Sequence, residues 1–504
     1  MKKIGFGRVA GVLAVCLAVS AGAWAQTYSV LALLGGNSGT YGPYQGSSLI
    51  QGTDGNFYGT SFAGAYSGGG TFFRVTPTGT LTVLYTFCAK NNCADGAAPV
   101  GTLVQGTDGN FYGATEFGGA VDNNLCSPIS PGCGTVYKMT PGGKLTTLYS
   151  FCSQVSNEVC QDGAMPQAGL IQATDGNLYG TTCGYNCVGT VFKITTAGAL
   201  TTLHSFSVTD GASPYSQLLQ ATNGNIYGTT SEGGTLQNGT VFEISTKGTF
   251  SSLYSFAGDG QDEGSFTAPN TLIQGANGYL YGTTFSGGKE LEGTVFEMTL
   301  KGAVTLLHTF CLAQGSGVCP DGASPRAGLA LGTDGNFYGT TAAGGAIGTN
   351  GFADGTIFRI TPTGTLTTLY NFCEQSDCAD GSGPGTGLLQ GTNGNFYGTT
   401  ANGGNPTCSS SDAINCGVVY SLSMGLAPFV APSPKFGTAG RVVRILGNGL
   451  TGATSVTFNG TPAAFKVVND AYLQAQVPAG ATSGTIQVTT SSGTLNSNVA
   501  FVVP

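Results

Sequence analysis

The stretch Gly-Thr-Asp-Gly-Asn-Phe-Tyr-Gly at 52–59 returns almost unchanged at 106–113 and 332–339. Looser copies bring the total to seven, and their tyrosines are Tyr58, Tyr112, Tyr179, Tyr227, Tyr281, Tyr338 and Tyr397. Successive tyrosines lie 48 to 67 residues apart. Self-similarity at this period is typical of solenoids, tandem arrays and propellers. The repeat therefore decides the fold of most of the chain.

Each repeat reads as four short strands. In the copy at 168–206, an apolar run at 168–173 is followed by an Asp-Gly-Asn turn and an extended run at 178–182. An alternating run at 189–195 and a last run at 200–206 follow a loop and a second turn. Asp-Gly and Asn-Gly favour hairpins because both turn positions need positive φ. No window has the apolar period of a helix, so the sequence predicts an all-β fold.

Seven four-stranded units predict a seven-bladed β-propeller, whose blades surround a central channel. A parallel β-helix is the alternative, although its coils are usually shorter than these units. The seventh repeat stops after its third strand at 417–423, and a spare strand lies near the start of the chain at 28–34. Aligned with the strand at 145–151, the spare strand places Tyr28 on Leu145. We expect it to complete the seventh blade and close the ring, since closure pairs otherwise exposed edges.

Residues 1–25 read as a secretory signal peptide. A basic start precedes an apolar run at 9–21, which is short for a membrane span, and Ala23-Trp24-Ala25 fits a cleavage site. Cys16 raises the alternative of a lipoprotein, but Val15 is larger than the residue such a site prefers. We expect a secreted or cell-surface protein without a transmembrane segment in the mature chain.

The cysteines agree with export. Apart from Cys16, 14 remain, and all fall into close pairs. The pairs are Cys88/Cys93, Cys126/Cys133, Cys152/Cys160, Cys183/Cys187, Cys311/Cys319, Cys373/Cys378 and Cys408/Cys416. Pairs this local in an exported chain predict disulfides that stiffen loops. Zinc binding by the thiolates is the alternative, but no pair has the C-x2-C spacing.

The low content of charged residues and the negative net charge limit the classes of molecule that the protein is expected to bind. Only 8% of the residues are charged, and removing the three basic residues of the leader leaves 14 Lys and Arg against 25 Asp and Glu, a net charge of −11. This argues against binding to nucleic acid, which needs a basic face, and against binding to anionic lipid. A polar, uncharged surface is compatible with contact to glycans.

The last part of the chain differs in composition. A Pro-rich linker at 427–434 separates the repeat domain at 26–426 from residues 435–504, where six or seven short strands predict an immunoglobulin-like β-sandwich. The segment resembles an IPT/TIG domain, and the landmarks are Ile445-Leu-Gly-Asn-Gly449, Thr454-Ser-Val-Thr-Phe-Asn-Gly460, Val477-Pro-Ala-Gly480 and Gly484-Thr-Ile-Gln-Val488. The resemblance implies a spacer or accessory module, usually without catalytic residues.

The repeat itself resembles a known family. The order Asp-Gly-Asn-Phe-Tyr-Gly-Thr-Thr, Gly-Gly, Gly-Thr-Val-Phe-Lys-Ile-Thr, Gly-x-Leu-Thr-x-Leu-Tyr-x-Phe, found over about 28–423, is similar to the GloVer (Gloeo/Verruco) tandem repeat of exported bacterial proteins. The resemblance implies export and a tandem-repeat domain. It implies no activity, so no functional residue carries over.

Two surfaces follow from the order of strands. The turns between first and second and between third and fourth strands, such as 53–56 and 76–79, share one surface, the turn face. The loops between second and third strands and between repeats, such as 183–189 and 88–96, share the other, the loop face. Length variation and all the cysteine pairs fall on the loop face. Because binding residues tend to sit on variable loops held by a scaffold, we expect a ligand there. The alternative is that the disulfides only protect long exported loops from proteolysis.

Asp-Gly-x-x-Pro is the recurring polar motif of the loop face. Its aspartates are Asp95, Asp162, Asp210, Asp321 and Asp380. The favoured interpretation is a turn in which the carboxylate bonds local backbone N–H groups. The alternative is a binding role, including oxygen ligands for Ca²⁺, and no other cofactor is expected.

Catalytic residues are scarce, and none is predicted. His204 and His308 occupy the position of a fourth-strand tyrosine and are interpreted as structural. Carboxylates that occur in single repeats are Glu116, Glu232, Glu290 and Glu292. The favoured hypothesis is a non-catalytic recognition or structural protein that binds a glycan or another protein through the loop face. The alternatives are a carbohydrate-active hydrolase or lyase, which would use a pair of such acids, and a pure spacer.

Overall fold

The computed structural model describes residues 26–35, 48–62, 69–120, 125–126, 132–183, 188–257, 271–311, 319–348, 351, 353–404 and 416–503. The segment predicted to be a signal peptide, 1–25, lies outside these ranges. Within them the regular structure is β, apart from 3₁₀ turns at Asn91–Cys93, Ser376–Cys378 and Leu450–Gly452. The predicted all-β class is thus confirmed. No helix of the described part is long and apolar enough to cross a membrane.

Each repeat forms one four-stranded antiparallel sheet, and we number these sheets 1 to 7 along the chain. The N-terminal strand is β1 (Thr27–Leu33). Sheet 1 has β2 (Ile50–Gln51), β3 (Phe57–Ser61), β4 (Thr71–Val75) and β5 (Leu81–Thr86). Sheet 2 has β6 (Ala97–Gln105), β7 (Phe111–Phe117), β8 (Thr135–Met139) and β9 (Leu145–Ser150), and a hairpin of β10 (Val155–Ser156) and β11 (Val159–Cys160) follows it. Sheet 3 has β12 (Ile171–Gln172), β13 (Leu178–Thr182), β14 (Thr190–Ile194) and β15 (Leu200–Ser205).

The remaining repeats continue this order. Sheet 4 has β16 (Leu219–Gln220), β17 (Ile226–Thr230), β18 (Thr240–Ile244) and β19 (Phe250–Ser255). Sheet 5 has β20 (Ile273–Gln274), β21 (Leu280–Thr284), β22 (Thr294–Met298) and β23 (Val304–Thr309). Sheet 6 has β24 (Ala330–Leu331), β25 (Phe337–Thr341), β26 (Thr356–Ile360) and β27 (Leu366–Asn371). Sheet 7 has β28 (Leu389–Gln390), β29 (Phe396–Thr399) and β30 (Val418–Ser423), to which β1 is added.

The bonds of one repeat explain why the Asp-Gly-Asn-x-Tyr-Gly stretch recurs. Asp175 accepts hydrogen bonds from Asn177 N at 3.1 Å and from Tyr179 Oη at 2.7 Å, which fixes the first turn of sheet 3. Gly176 has the positive φ of 82° that this turn requires. A Cβ on Gly180 would lie 2.7 Å from the Phe192 ring of the neighbouring strand. The motif is therefore set by local geometry and packing.

The first strand of the chain completes the last sheet. Strand β1 pairs antiparallel with β30, and Tyr28 lies opposite Leu422. In sheet 2 the corresponding partners are Leu145 and Met139. This is the register that the alignment of Tyr28 with Leu145 predicts. Two distant parts of the chain thus share one sheet.

Apolar clusters join the sheets in a cycle. Six clusters of the described residues each combine two consecutive sheets, from sheets 1 and 2 to sheets 6 and 7. The seventh cluster packs Tyr397 and Val419 of sheet 7 against Leu49 and Phe57 of sheet 1. The last sheet therefore buries its side chains against the first.

Glutamines of the first strands add a second set of links. Gln105 Oε1 accepts a hydrogen bond from Thr53 N of the preceding sheet at 3.1 Å. The same bond joins four further pairs, Gln172 to Thr107, Gln220 to Thr174, Gln274 to Thr222 and Gln390 to Thr333. Gln51 of sheet 1 accepts from Thr392 N of sheet 7 at 3.0 Å. Sheet 6 has Leu331 at this position.

The C-terminal domain contains two four-stranded sheets. One is ordered β31 (Ala431–Ser433), β32 (Val442–Leu446), β36 (Tyr472–Gln476) and β35 (Phe465–Asn469). The other is ordered β34 (Thr461–Pro462), β33 (Ser455–Phe458), β37 (Ile486–Thr490) and β38 (Gly493–Asn496). Val443 and Leu473 of the first sheet share one apolar core with Val456 and Val488 of the second, as predicted for a β-sandwich.

This domain contacts the turn face of the repeat domain. Its polar contacts are Arg441 Nη1 to Thr174 O at 3.1 Å, Arg444 Nη2 to Gln105 O at 2.8 Å, and Asn469 Nδ2 to Thr53 O at 3.1 Å. Val499 packs against the cluster of sheets 5 and 6 that contains Leu331. The domain therefore lies against sheets 1, 2 and 3 and against the cluster of sheets 5 and 6.

Candidate binding site

Disulfides stiffen the loop face. Five of the predicted pairs are formed, Cys88–Cys93, Cys126–Cys133, Cys152–Cys160, Cys311–Cys319 and Cys373–Cys378. Cys416 is also disulfide-bonded, but Cys408 lies outside the described residues. Cys183 is buried, and Cys187 likewise lies outside the described residues.

The five aspartates of the Asp-Gly-x-x-Pro motif hold their own loops. Asp162 is fully buried and accepts from Tyr149 Oη at 2.7 Å, Ser153 N at 3.0 Å and Gln154 N at 3.3 Å. Asp95 and Asp380 bond the fourth-strand tyrosine and two backbone N–H groups in the same way. These bonds are those of the turn interpretation.

In two repeats histidine takes the place of that tyrosine. The Nε2 atom of His204 lies 3.2 Å from Asp210, and that of His308 lies 2.9 Å from Asp321. Burial lowers the pKa of His204, and the Asp210 carboxylate partly offsets this. The His204 ring stacks on Phe250 with centroids 3.7 Å apart. Both histidines therefore serve the loop and the sheet packing.

A cavity of about 270 Å³ lies where the first strands of all seven sheets meet. Each sheet contributes lining from the start of that strand, namely Ser48, Thr102, Gly169, Gln217, Thr271, Gly328 and Gly387. Six of these residues directly precede their first strands, so they lie toward the loop face, and Thr102 lies within the longer strand β6. None of the described lining residues is charged.

The wall of this central cavity is uneven. Sheets 3 and 4 contribute Gln167, Tyr215 and Gln217, whereas sheets 6 and 7 present only Gly328 and Gly387 at the position of Gln217. Gln217 Nε2 donates to Leu170 O at 2.8 Å and is held by that bond. The Tyr215 side chain is 41% exposed despite being a large aromatic residue. One side of the cavity thus has polar groups and the exposed aromatic ring of Tyr215. The other side has glycines, which leave room because they have no side chain.

Neighbouring groups determine the protonation and hydrogen bonding of Tyr215 and Gln167, on the polar side of the cavity. Burial raises the pKa of Tyr215, and the Glu232 carboxylate adds to the rise. Its hydroxyl therefore stays protonated at neutral pH. Gln167 Nε2 donates to Glu116 Oε1 at 2.7 Å. Burial also raises the pKa of Glu116, and the Gln167 bond opposes that rise.

The four glutamates singled out in the sequence do not form one group around the cavity. Glu116 reaches it indirectly through Gln167. Glu232 is exposed, and Glu292 lies 3.4 Å from Ser324 Oγ in the next loop. Glu290 is half-buried in the same loop as Glu292.

Sequence reasoning did not identify Gln167, Tyr215 or Gln217. Gln167 and Tyr215 directly follow Pro166 and Pro214 of the Asp-Gly-x-x-Pro motif. Other repeats have Val100, Arg326 or Gly385 at this position. The residue that directly follows the constant motif differs between repeats, and this variation was the signal in the sequence. Residues of a single binding site need not be the same in every repeat.

Solved structures with a similar fold are distant in sequence. A fungal alcohol oxidase of the AA5 family, solved in complex with copper, is 14% identical with a TM-score of 0.50, over 93% of this chain and 100% of that one. Two extracellular domains of hybrid two-component systems from B. thetaiotaomicron are each 10% identical with TM-scores of 0.46. Each match covers 95% of this chain, and this chain spans 59% and 58% of theirs.

Family models match nearly the whole chain. Among curated proteins, no sequence matches this one. The IPT/TIG domain matches residues 430–503, which confirms the resemblance of the C-terminal segment. The Gloeobacter/Verrucomicrobia repeat matches residues 20–215, 127–266 and 260–430. The chain therefore belongs to the Gloeobacter/Verrucomicrobia repeat family and carries a C-terminal IPT/TIG domain.

Proposed function

We propose that this is an exported, non-catalytic recognition protein built on a seven-bladed β-propeller, and that it binds a glycan at the central cavity through the loop face. The propeller is supported by the cycle of apolar clusters and by the Gln51–Thr392 link between sheets 1 and 7. Export is supported by the leader sequence and by five local disulfides.

The observation that carries the proposal is the uncharged, one-sided lining of the central cavity. Gln167, Tyr215, Thr102 and Thr271 supply donors and acceptors. Sugar hydroxyls both donate and accept, so they match such groups without a charge. An exposed tyrosine adds an apolar ring with a polar tip. The volume of about 270 Å³ is near the lower end of small-molecule sites, which suits a terminal sugar rather than a long chain.

The C-terminal domain supports entry from the loop face. Arg441, Arg444 and Asn469 bond the turns of sheets 3, 2 and 1 and so cover the opposite side. A glycan that reaches the central cavity would therefore pass the disulfide-bearing loops. A protein ligand is the alternative, and it would contact those loops more widely.

The test is a glycan and polysaccharide array probed with the mature protein, first with Ca²⁺ and then with EDTA. We expect binding to a neutral glycan in both conditions, because the loop aspartates are already bonded within their loops. Binding lost in EDTA would instead make Asp95, Asp162, Asp210, Asp321 and Asp380 candidate Ca²⁺ ligands. An array without any binding would contradict the glycan proposal and favour a protein-contact or spacer role.

A further inference from the structure

A second cavity, of about 180 Å³, lies between the repeat domain and the C-terminal domain. We call it the interdomain cavity. Ile50, Leu103 and Val104 of sheets 1 and 2 line it from one side, and Leu446 and Arg444 of the C-terminal domain line it from the other. Much of the wall is thus aliphatic, and one positive charge lies in it.

Arg444 is buried in this cavity with unused hydrogen-bond donors. The residue is only 7% exposed. Of the five N–H donors of a guanidinium, the two on Nη2 have partners, Gln105 O at 2.8 Å and Ser433 Oγ at 3.2 Å. Nε and Nη1 have no hydrogen-bond partner among the described residues. The guanidinium is thus held through Nη2, and its donors on Nε and Nη1 are unsatisfied.

No carboxylate in the described ranges lies within ion-pair distance of Arg444. Asp108 is the one carboxylate of the described residues that acts electrostatically on Arg444, and it already accepts from Asn110 Nδ2 at 2.7 Å and from Tyr112 Oη at 2.8 Å. A buried charge without a counter-charge is costly, and buried polar groups are normally bonded. The site therefore lacks an anionic partner.

We propose that the interdomain cavity binds a small organic monocarboxylate with a short aliphatic tail. The carboxylate would accept from the free Arg444 donors, since arginine suits carboxylate recognition, and the tail would pack against Ile50, Leu103 and Leu446. This site goes beyond the proposed glycan function and does not depend on it. A ligand there contacts both domains, so it fastens the C-terminal domain to the turn face.

The experiment is calorimetric titration of the mature protein with butyrate, in a buffer free of other carboxylates and of phosphate. Butyramide is the neutral ligand control, because it keeps the tail and lacks the charge. Arg444→Met removes the guanidinium, and Arg441→Met is its matched control, because Arg441 also bonds across the interface but does not line the cavity. Thermal unfolding is recorded in parallel, since a ligand of the folded state raises the Tm.

We expect saturable butyrate binding in the wild type and in R441M, and at least about ten-fold weaker binding in R444M and for butyramide. Leu446→Phe, which fills the cavity and keeps Arg444, is also expected to abolish binding, so the proposal stays testable if R444M does not fold. A wild type without saturable binding would overturn the proposal. So would equal affinity in folded R444M, or phosphate binding more tightly than butyrate.

Discussion

The turn face repeats one set of bonds from sheet to sheet, whereas the loop face differs between repeats. On the turn face, the Asp175–Tyr179 bond has counterparts in sheets 1, 2 and 6, and glutamine links recur in six sheets. On the loop face, the loops vary in length, and Gln167 and Tyr215 each occur once in the central cavity. The turn face is also covered by the C-terminal domain.

Under the proposed function, this difference separates side chains that hold the sheets together from side chains that would contact a ligand. A bond present in most sheets serves the sheet-to-sheet contact that every repeat must make. A side chain present in one repeat only is free to meet a ligand. The loop aspartates belong to the first class although they lie on the loop face, because each bonds its own loop.

The largest expected effect comes from removing a buried loop aspartate. Asp162→Ala leaves Ser153 N and Gln154 N without their acceptor inside the protein, and Tyr149 Oη keeps its bond to Ser153 Oγ. We expect a loss of about 2–4 kcal/mol in the free energy of unfolding, because the bonds are charge-assisted and their acceptor is buried. Chemical denaturation measures it.

Asp175→Ala on the turn face is the matched comparison, because Asp175 also bonds a tyrosine and a backbone N–H group but is exposed. We expect it to cost clearly less than Asp162→Ala. Equal losses, or a negligible loss for Asp162→Ala, would contradict the structural role assigned to the buried aspartates.

The second effect tests whether the ring is closed. Gln51→Leu removes the link between sheets 1 and 7, and Gln172→Leu removes the equivalent link between sheets 3 and 2. In a closed ring both variants lose a similar amount, about 1 kcal/mol, in urea unfolding. If sheets 7 and 1 did not meet, Gln172→Leu alone would be destabilising.

The residues of the two faces also show which features could be predicted from the sequence. The turn motif, the hairpins and the pairing of β1 were predictable, because they depend on local bonds or on matching strands. The central cavity was not, since Gln167 and Tyr215 come to line one cavity only when sheets 3 and 4 pack together. The contact of the C-terminal domain with the turn face could not be predicted either, because Arg444 and Gln105 are 339 residues apart in the chain.

A smaller, pH-dependent effect is expected at Glu116. Burial raises its pKa, so the folded state holds the proton more tightly than the unfolded chain. Stability is then full below the unfolded pKa and falls as the pH rises through the folded pKa. Glu116→Gln keeps an acceptor for Gln167 and avoids the charge.

We expect this variant to match the wild type near pH 4 and to be slightly more stable at pH 7, by less than the Gln51→Leu loss. Thermal unfolding at both pH values measures the difference. A variant less stable than the wild type at pH 7 would show that the charge of Glu116 is needed in the fold.

The most direct test of recognition through the loop face compares two exposed tyrosines. Tyr215 of the central cavity is 41% exposed, and Tyr279 in a turn of the turn face is 40% exposed. The best neutral glycan from the array is titrated onto the wild type, Tyr215→Ala and Tyr279→Ala. We predict at least about ten-fold weaker binding for Tyr215→Ala only. Unchanged binding in Tyr215→Ala, or a loss in Tyr279→Ala instead, would contradict the account.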